Sequence, residues 1–473
     1  MYDVLIKNGK LVSPDRIYEA DICITDGKYS AFAAPGTIAD SDAKKVIDAK
    51  GNYVFPGIID CHAHMNEPGF EYREDFETGS RAAVSAGCTT LIDMPLNNDP
   101  SLMNKVTFDS KLEKISRHSY VDFALWGGLV GDYDDKPDSV HNNINEKDLV
   151  DQYKGGVAAF KGFTCPNGPL FPTVTMGNIR KALEILKPYD ALCGFHCEDY
   201  SLVLEREKEY KAKKNQTREQ KIHDFLAAHD VWCEYEATKN VIDMCRITGG
   251  RVHICHVSHP MVAQLVKDAQ AEGLPVTAET CVHYLGFNED FVYEKGAPAK
   301  CTPTLRPQEA VDGLWDYVLD GTLSCVGSDH SPAADEEKDN NTKDIWQAWG
   351  GLNSVQIFLP MMFDMVVNQR KLSPTLIAKV MDYNPAKVFR LYGRKGAFEL
   401  GFDGDIVILD PEKAWKVDQT KLFTKGHVSC FDGCEGKGAP VLTMIRGEVV
   451  AEDGKYIEST CGHGSYVIPT DRK

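Results

Sequence analysis

Two histidines stand one residue apart at the end of an apolar run, in Val54-Phe55-Pro56-Gly57-Ile58-Ile59-Asp60-Cys61-His62-Ala63-His64. An apolar run behind a Pro-Gly step is typical of a buried β-strand, and on a strand residues i and i+2 point to the same side. His62 and His64 could therefore bind one metal ion together. A chance pair on a polar strand edge is the alternative, so the prediction depends on residues further along the chain.

Polar residues stand at the ends of four other apolar runs: Lys161, His196, His256 and Asp329. If these runs are parallel strands of one barrel, their carboxyl ends meet on one face, where polar side chains are candidates for chemistry. Imidazole and carboxylate groups are ligands that suit zinc and its neighbours, and no cysteine is needed. The combined pattern predicts a metal site.

Lys161 lies within the apolar segment Ala158-Ala159-Phe160-Lys161-Gly162-Phe163. A charged, unpaired ammonium is costly there, and it has no lone pair to offer a metal ion. Condensation with carbon dioxide would convert the side chain into a carbamate, N6-carboxylysine, which could bridge two metal ions. We predict this carbamate, with a paired structural lysine as the alternative.

The elements that would position these residues are short, continuous apolar runs separated by helix-like stretches. This pattern is typical of parallel strands that are buried on both faces. Eight such runs predict an α/β protein with a (β/α)8 TIM-like barrel, and a doubly wound open sheet is the competing architecture. The eight runs are residues 55–64, 89–95, 121–130, 157–164, 191–198, 251–258, 275–284 and 323–332.

Both ends of the chain have a different pattern, in which apolar and polar residues alternate between turn signals such as Asn8-Gly9 and Asp26-Gly27. Such dipeptides between alternating runs predict β-hairpins. We expect the two ends to form one small β-sandwich domain, from residues 1–55 and 395–473, around a hydrolase barrel at 56–394.

The composition excludes several classes of partner. A formal charge of −18 over 473 residues argues against nucleic acids and anionic membranes as partners. No apolar run could cross a membrane, no signal-peptide pattern begins the chain, and the fifteen cysteines are scattered, so a cytoplasmic protein with free thiols is expected. Cys430 and Cys434 are predicted to be free surface thiols, with a metal or redox pair as the alternative.

Five motifs occur along the chain in a characteristic order: Asp60-Cys61-His62-Ala63-His64, Phe160-Lys161, His196-Cys197-Glu198, Cys255-His256-Val257-Ser258 and Ser328-Asp329-His330-Ser331. With these motifs the chain resembles the amidohydrolase superfamily over essentially its whole length. The resemblance is to the branch of dihydropyrimidinases, hydantoinases, allantoinases and dihydroorotases, which open cyclic amides.

The resemblance implies a dinuclear metal centre. His62, His64, carboxylated Lys161 and Asp329 would hold one divalent ion, and Lys161, His196 and His256 the other, with a hydroxide between them. Asp329 would also transfer a proton. Zinc is the expected metal, with manganese, cobalt, nickel or iron as alternatives. The resemblance also implies a homotetramer.

The motifs around the predicted site are most similar to those of allantoinases, so ring opening of allantoin to allantoate is the expected reaction. Asn66 stands where dihydroorotases carry a carboxylate-binding arginine, and the tyrosine of dihydropyrimidinases after the bridging lysine is missing from Phe163-Thr164-Cys165. Phe70 and Gly162 depart from the usual allantoinase pattern. Hydantoins or dihydropyrimidines are therefore the alternative substrates, and a non-enzymatic scaffold of the same fold is a further alternative.

Four residues are candidates for substrate contacts: Asn66, His283, Thr302 and Asn353. His283 lies at the end of the seventh strand, and Thr302 lies in the loop that follows. Purely structural roles in loops are the alternative for these positions.

Overall fold

The computed structural model describes residues 1–131 and 142–472, and its first part is a series of short strands. The turn between β4 and β5 uses positive φ at Asp26 (50°) and Gly27 (72°), as the Asp-Gly signal predicts. The strands are β1 (Tyr2–Lys7), β2 (Lys10–Val12), β3 (Ile17–Glu19), β4 (Asp21–Thr25), β5 (Lys28–Ala33), β6 (Ala43–Asp48) and β7 (Tyr53–Phe55).

The next eight strands form a parallel barrel in which each pairs with its neighbour along the chain. Ala63, at the end of the first of these strands, forms a parallel bridge with His330 beyond the last, and His64 N–H donates to the His330 carbonyl at 2.7 Å. The sheet is therefore closed, and the open-sheet alternative is wrong. The strands are β8 (Ile58–Ala63), β9 (Cys88–Asp93), β10 (Asp122–Gly128), β11 (Ala159–Phe163), β12 (Leu192–His196), β13 (Arg251–Ile254), β14 (Val276–Cys281) and β15 (Cys325–Gly327).

Helices connect the barrel strands and cover the barrel. Most of them begin at an Asp, Asn or Thr that caps the first turn, as Asp75 and Thr175 do. The helices are α1 (Phe76–Ser85), α2 (Lys105–Ile115), α3 (Glu146–Gly155), α4 (Met176–Leu186), α5 (Tyr200–Lys211), α6 (Arg218–Ala228), α7 (Val231–Thr248), α8 (Pro260–Ala271), α9 (Val282–Gly286), α10 (Glu289–Lys295), α11 (Gln308–Leu319), α12 (Asp335–Lys338), α13 (Phe358–Phe363), α14 (Thr375–Ile377) and α15 (Asn384–Val388). No helix of the described residues is long and apolar enough to span a bilayer.

The chain returns to the small domain with β16 (Ile406–Lys416), β17 (Glu435–Ile445), β18 (Glu448–Glu452) and β19 (Lys455–Tyr456). β16 pairs antiparallel with β7 through Val407 and Phe55, so strands from both chain ends share one seven-stranded sheet. A four-stranded sheet of β5, β4, β1 and β6 completes the domain. The predicted fold class, a TIM-like barrel with a small β-sandwich domain built from both chain ends, is confirmed.

The prediction for Cys430 and Cys434 is only partly correct. Both thiols are free, but Cys430 is buried and Cys434 is half-buried. The neighbouring Phe431 packs against Phe287 and Phe291, which draws this segment into the core. The surface location is therefore wrong for Cys430, because aromatic packing at the next residue outweighs the loop-like composition.

Asp382, on a π-helical segment between α14 and α15, is wholly buried, and neither carboxylate oxygen has a hydrogen-bond partner among the residues that the structure describes. Burial raises the pKa of this carboxyl well above its ordinary value. The folded protein therefore holds a proton that the unfolded chain releases above about pH 4, so rising pH lowers the free energy of unfolding. Asp382→Asn is expected to raise Tm at pH 7, by the equivalent of about 1–3 kcal/mol, with the gain closing toward pH 4 in calorimetry.

Asp364 provides a matched control on another π-helical segment. Its carboxylate accepts hydrogen bonds from Asn368 Nδ2 (2.8 Å), Gln369 Nε2 (2.8 Å) and Lys437 N–H (3.0 Å). Asp364→Asn should lower Tm, because an amide cannot accept all three bonds. An Asp382→Asn variant that loses stability at pH 7 as the control does would contradict the assignment of a neutral, unpaired carboxyl.

Candidate active site

A cavity of about 210 Å³ lies at the carboxyl ends of the barrel strands. This is the face of such a barrel on which side chains from several strands converge. All six predicted metal ligands line it. The lining residues are His62, His64, Leu96, Asn97, Lys161, Phe163, Cys165, Pro166, Asn167, His196, His256, Cys301, Thr302, Asp329, Ser331, Trp349, Gly350 and Gly351.

The first and last barrel strands bring His62, His64 and Asp329 together. One Asp329 oxygen, Oδ1, lies 3.3 Å from His62 Nε2 and 3.5 Å from His64 Nε2. The ligand atoms of all three side chains lie within 4.8 Å of one another. Asp329 has φ 44°, a left-handed conformation that a non-glycine residue adopts at some energetic cost. The closed barrel holds the carboxylate in this position.

The other half of the cavity contains Lys161, His196 and His256. The rings of His196 and His256 are 4.6 Å apart between centroids, and the rings of His256 and His62 are 5.2 Å apart, so the two halves adjoin. His196 stacks on Phe163 at 4.8 Å with an interplanar angle of 18°. Lys161 is wholly buried, and within residues 1–131 and 142–472 its Nζ has no hydrogen-bond partner.

Burial sets the charge state of the imidazoles. It lowers the pKa of His64 to about 4 and that of His256 well below its usual value. Neutral imidazole is the form that binds a metal ion. Burial also opposes a charge on His62, but the carboxylates of Glu279 and Asp329 outweigh it and raise the pKa of His62 to about 10, so a metal ion bound by His62 would displace a proton.

The donor set fits divalent cations. Three of the six side chains have a buried nitrogen that finds no hydrogen-bond partner in the described part of the chain: His64 Nδ1, Lys161 Nζ and His256 Nδ1. Buried polar atoms are normally paired, so this concentration of unpaired donors and acceptors in one cavity indicates a missing charged group. Imidazole and carboxylate ligands in the spacing described above suit zinc and related ions.

A model of the amidohydrolase family matches residues 53–450 of the sequence. The chain belongs to the amidohydrolase family. An allantoinase from Salmonella newport (strain SL254) is 34% identical over 454 residues, covering 95% of this chain and 95% of that protein.

Solved structures agree with this assignment. The L-hydantoinase (dihydropyrimidinase) from Arthrobacter aurescens superposes with a TM-score of 0.92 and 32% identity, over 99% of this amidohydrolase and 100% of that chain. The D-hydantoinase (dihydropyrimidinase) from Thermus sp. has a TM-score of 0.87 and 24% identity over 99% of both chains, which supports the fold alone. The resemblance to the cyclic-amide branch is confirmed, as is the prediction of an amidohydrolase enzyme.

A buried carboxylate that the sequence analysis missed supports His62 in this amidohydrolase. Glu279, on β14, contacts His62 Nδ1 through a short hydrogen bond, accepts from Cys61 Sγ at 3.0 Å, and lies 3.3 Å from His253 Nε2. A carboxylate on the far nitrogen fixes the ring so that Nε2 faces the cavity. An acidic residue inside a strand with no other charged side chain was the available signal. His253 is not among the described residues that line the cavity.

The four predicted substrate contacts have different environments. Thr302 lines the cavity. The other three are buried beside it: Asn66 Nδ2 donates to the Pro332 carbonyl at 3.4 Å, and Asn353 Nδ2 donates to Thr424 Oγ1 at 2.8 Å. Among the described residues His283 has no hydrogen-bond partner at either ring nitrogen, and one of these nitrogens lies within 4.8 Å of an Asp329 oxygen.

The loop after β8 contacts the rim of the cavity through Arg73. Its guanidinium stacks on Trp349 at 3.9 Å and forms a two-pronged ion pair with Glu337, at 2.8 and 2.6 Å. Phe70 packs beside Tyr72 and Arg73 and is not among the residues that line the cavity. The departure at Phe70 therefore lies behind the rim.

Proposed function

We propose that this amidohydrolase opens the ring of a cyclic amide by hydrolysis, with conversion of allantoin to allantoate as the expected reaction. The observation that carries the proposal is the convergence of His62, His64, Lys161, His196, His256 and Asp329 on one cavity. These residues come from five different strand ends, so only the closed barrel brings them together.

Two divalent ions bound here would lower the pKa of a water between them and polarise the ring carbonyl. We propose zinc as the resident metal, with manganese, cobalt, nickel or iron as alternatives. His62, His64 and Asp329 would hold one ion, and His196 and His256 the other, with carboxylated Lys161 bridging both. The buried Nζ of Lys161 has no hydrogen-bond partner among the described residues, which supports the carbamate, because a buried polar group without a partner is costly.

Asp329 is the proposed proton carrier. Burial disfavours its charge, but His62 and His64 outweigh burial and hold the pKa of Asp329 below its usual range. Asp329 is therefore a carboxylate, the form that could accept a proton from the attacking water and deliver it to the departing ring nitrogen. His283 lies on another side of the same carboxylate and could accept a hydrogen bond from substrate or orient Asp329.

The rim of the cavity favours an uncharged, polar ring. None of the described residues that line the cavity is an arginine, which a carboxylate substituent such as that of dihydroorotate would require. Amide and hydroxyl groups of Asn97, Asn167, Thr302 and Ser331 line it instead. Such groups suit the ureido substituent of allantoin, which offers several donors and one acceptor.

Hydantoins or dihydropyrimidines are the second candidate substrates. The apolar side chains of Leu96, Phe163 and Trp349 also line the cavity and could contact a hydrophobic ring substituent. The structural similarity to the Arthrobacter aurescens L-hydantoinase supports this alternative. None of the described lining residues is a tyrosine, unlike the dihydropyrimidinase pattern, so allantoin remains the first candidate.

Ring-opening turnover on four substrates tests the proposal. The protein, loaded with zinc or cobalt in the presence of bicarbonate, would be assayed on allantoin, hydantoin, dihydrouracil and dihydroorotate. We expect the highest kcat/KM on allantoin and no turnover of dihydroorotate. Turnover of hydantoin or dihydrouracil with allantoin inert would contradict the ureide assignment and leave cyclic-amide hydrolysis in place.

A homotetramer in the cytoplasm stays a prediction. Gel filtration with light scattering tests the oligomeric state.

A further inference from the structure

A buried chain of alternating histidines and carboxylates runs outward from His196. His196 Nε2 lies 2.8 Å from Glu198 Oε2, Glu198 Oε1 lies 2.8 Å from His229 Nδ1, and His229 Nε2 lies 3.2 Å from Glu207 Oε1. The first three side chains are buried, and Glu207 is 28% exposed. This series of hydrogen-bonded side chains therefore connects the wall of the cavity with the protein surface.

Two of these hydrogen-bonded side chains come from the long crossover after β12. Glu207 lies on α5, and His229 ends α6. Several charged side chains of α5 lie exposed at the surface: Glu205, Lys208, Glu209 and Lys211. Glu207 differs because it points to His229, as well as to Lys211 at 2.6 Å.

His229 is fixed from several sides. Its ring lies 4.9 Å from that of Phe225, and its backbone carbonyl accepts a hydrogen bond from Arg306 Nη1 at 2.7 Å. Arg306 is itself held by an ion pair with Glu234 at 3.0 Å. These contacts restrict the orientation of the imidazole, so its hydrogen bond holds the Glu198 carboxylate in one position.

The charges along the chain are balanced. Burial disfavours a charged His229, but Glu198 and Glu207 outweigh burial and raise the pKa of His229 to about 8. A cationic His229 between two carboxylates offsets the energetic cost of burying the charged Glu198 side chain. The hydrogen bond to Glu198 directs Nε2–H of His196 away from the cavity, so Nδ1 is the nitrogen left to face a metal ion.

We propose that Glu207 and His229, acting through Glu198, are positioning residues for His196. The inference rests on the proposed metal centre, and it assigns a purpose to α5 and α6, no residue of which is among the described residues that line the cavity. In this role the two residues fix the orientation of the His196 ring from the surface side.

A pair of isosteric variants separates this role from general stability. An asparagine at position 229 places its amide nitrogen near the former Nδ1 and keeps the bond to Glu198, whereas a glutamine places it near Nε2 and keeps only the bond to Glu207. Both variants are polar and similar in size, so similar Tm values are expected for the metal-free proteins. Only His229→Gln should release His196.

The readout is the release of cobalt(II) from the loaded protein to an excess of chelator, with the visible absorption spectrum of the bound ion. His229→Gln is expected to release cobalt about 10–100-fold faster than the wild type and to change the spectrum. His229→Asn keeps the bond to Glu198 and loses only Glu207, so it should release cobalt only several-fold faster than the wild type, as Glu207→Ala does. Equal release rates for both variants would overturn the proposal.

Glu207→Ala tests the surface end of the hydrogen-bonded series. Glu207 is partly exposed, so this variant should fold and keeps the proposal testable if His229→Gln does not fold. We expect cobalt release several-fold faster than the wild type, whereas Glu205→Ala, exposed on the same helix, should not change it. Unchanged release in Glu207→Ala would overturn the role of Glu207.

Because the cobalt-release assay contains no substrate, a wild type that holds cobalt but opens no cyclic amide would contradict the proposed reaction alone. A wild type that binds no cobalt would overturn both.

Discussion

Lys161→Met is expected to abolish ring-opening activity and to remove most of the bound metal. Methionine matches the length and apolar character of the buried lysine stem, so the barrel should fold, but it cannot form a carbamate. Losing the only ligand proposed to reach both ions removes several kcal/mol of transition-state stabilisation, which corresponds to about 10³-fold or more in kcat/KM. Turnover, metal content and Tm would be measured on the same preparation.

Bicarbonate dependence separates the carbamate from an ordinary structural lysine. Metal-free wild type should regain activity faster when zinc is added with bicarbonate than without it, and Lys161→Met should not respond. Lys161→Glu, which carries a shorter carboxylate, should keep more metal than Lys161→Met. Wild-type turnover with both metals retained in Lys161→Met would refute the bridging role. A lost fold, seen as a large fall in Tm, would instead favour the structural alternative.

The sequence was sufficient for the fold and for the convergence of the six predicted ligands, because both depend on local patterns. The i, i+2 spacing of His62 and His64 and the apolar runs around Lys161 and Asp329 are visible over a few residues. Once eight such runs are taken as one barrel, convergence of their ends on one face follows from topology alone.

The supporting contacts could not be predicted, because they join residues far apart in the sequence. Glu279 contacts His62, which is 217 positions away in the sequence, and His229 contacts Glu198, which is 31 positions away. No short motif specifies such pairs, since they depend on how helices pack. The same limit applies to Phe70, whose substitution suggested an altered pocket, although the side chain packs behind the rim against Arg73.

Asp329→Asn is expected to lower kcat by about 10²–10⁴-fold, the usual effect of removing a general acid–base group. Asparagine keeps an oxygen that can bind a metal ion but cannot accept and return a proton. The lost interaction belongs to the transition state, so kcat and kcat/KM should fall together while KM changes little. Steady-state kinetics on the preferred substrate and metal analysis test this, and Asp382→Asn, buried away from the cavity, should keep the wild-type kcat.

The metal content of this variant distinguishes the two roles proposed for Asp329. If Asp329→Asn retains its metal and still loses activity, proton transfer is the missing function. If the loss of activity follows the loss of metal and is restored by excess zinc, the carboxylate acts as a ligand only. A kcat within about threefold of the wild type at full metal content would contradict the proton-carrier role, and His283, beside the same carboxylate, would become the next group to replace.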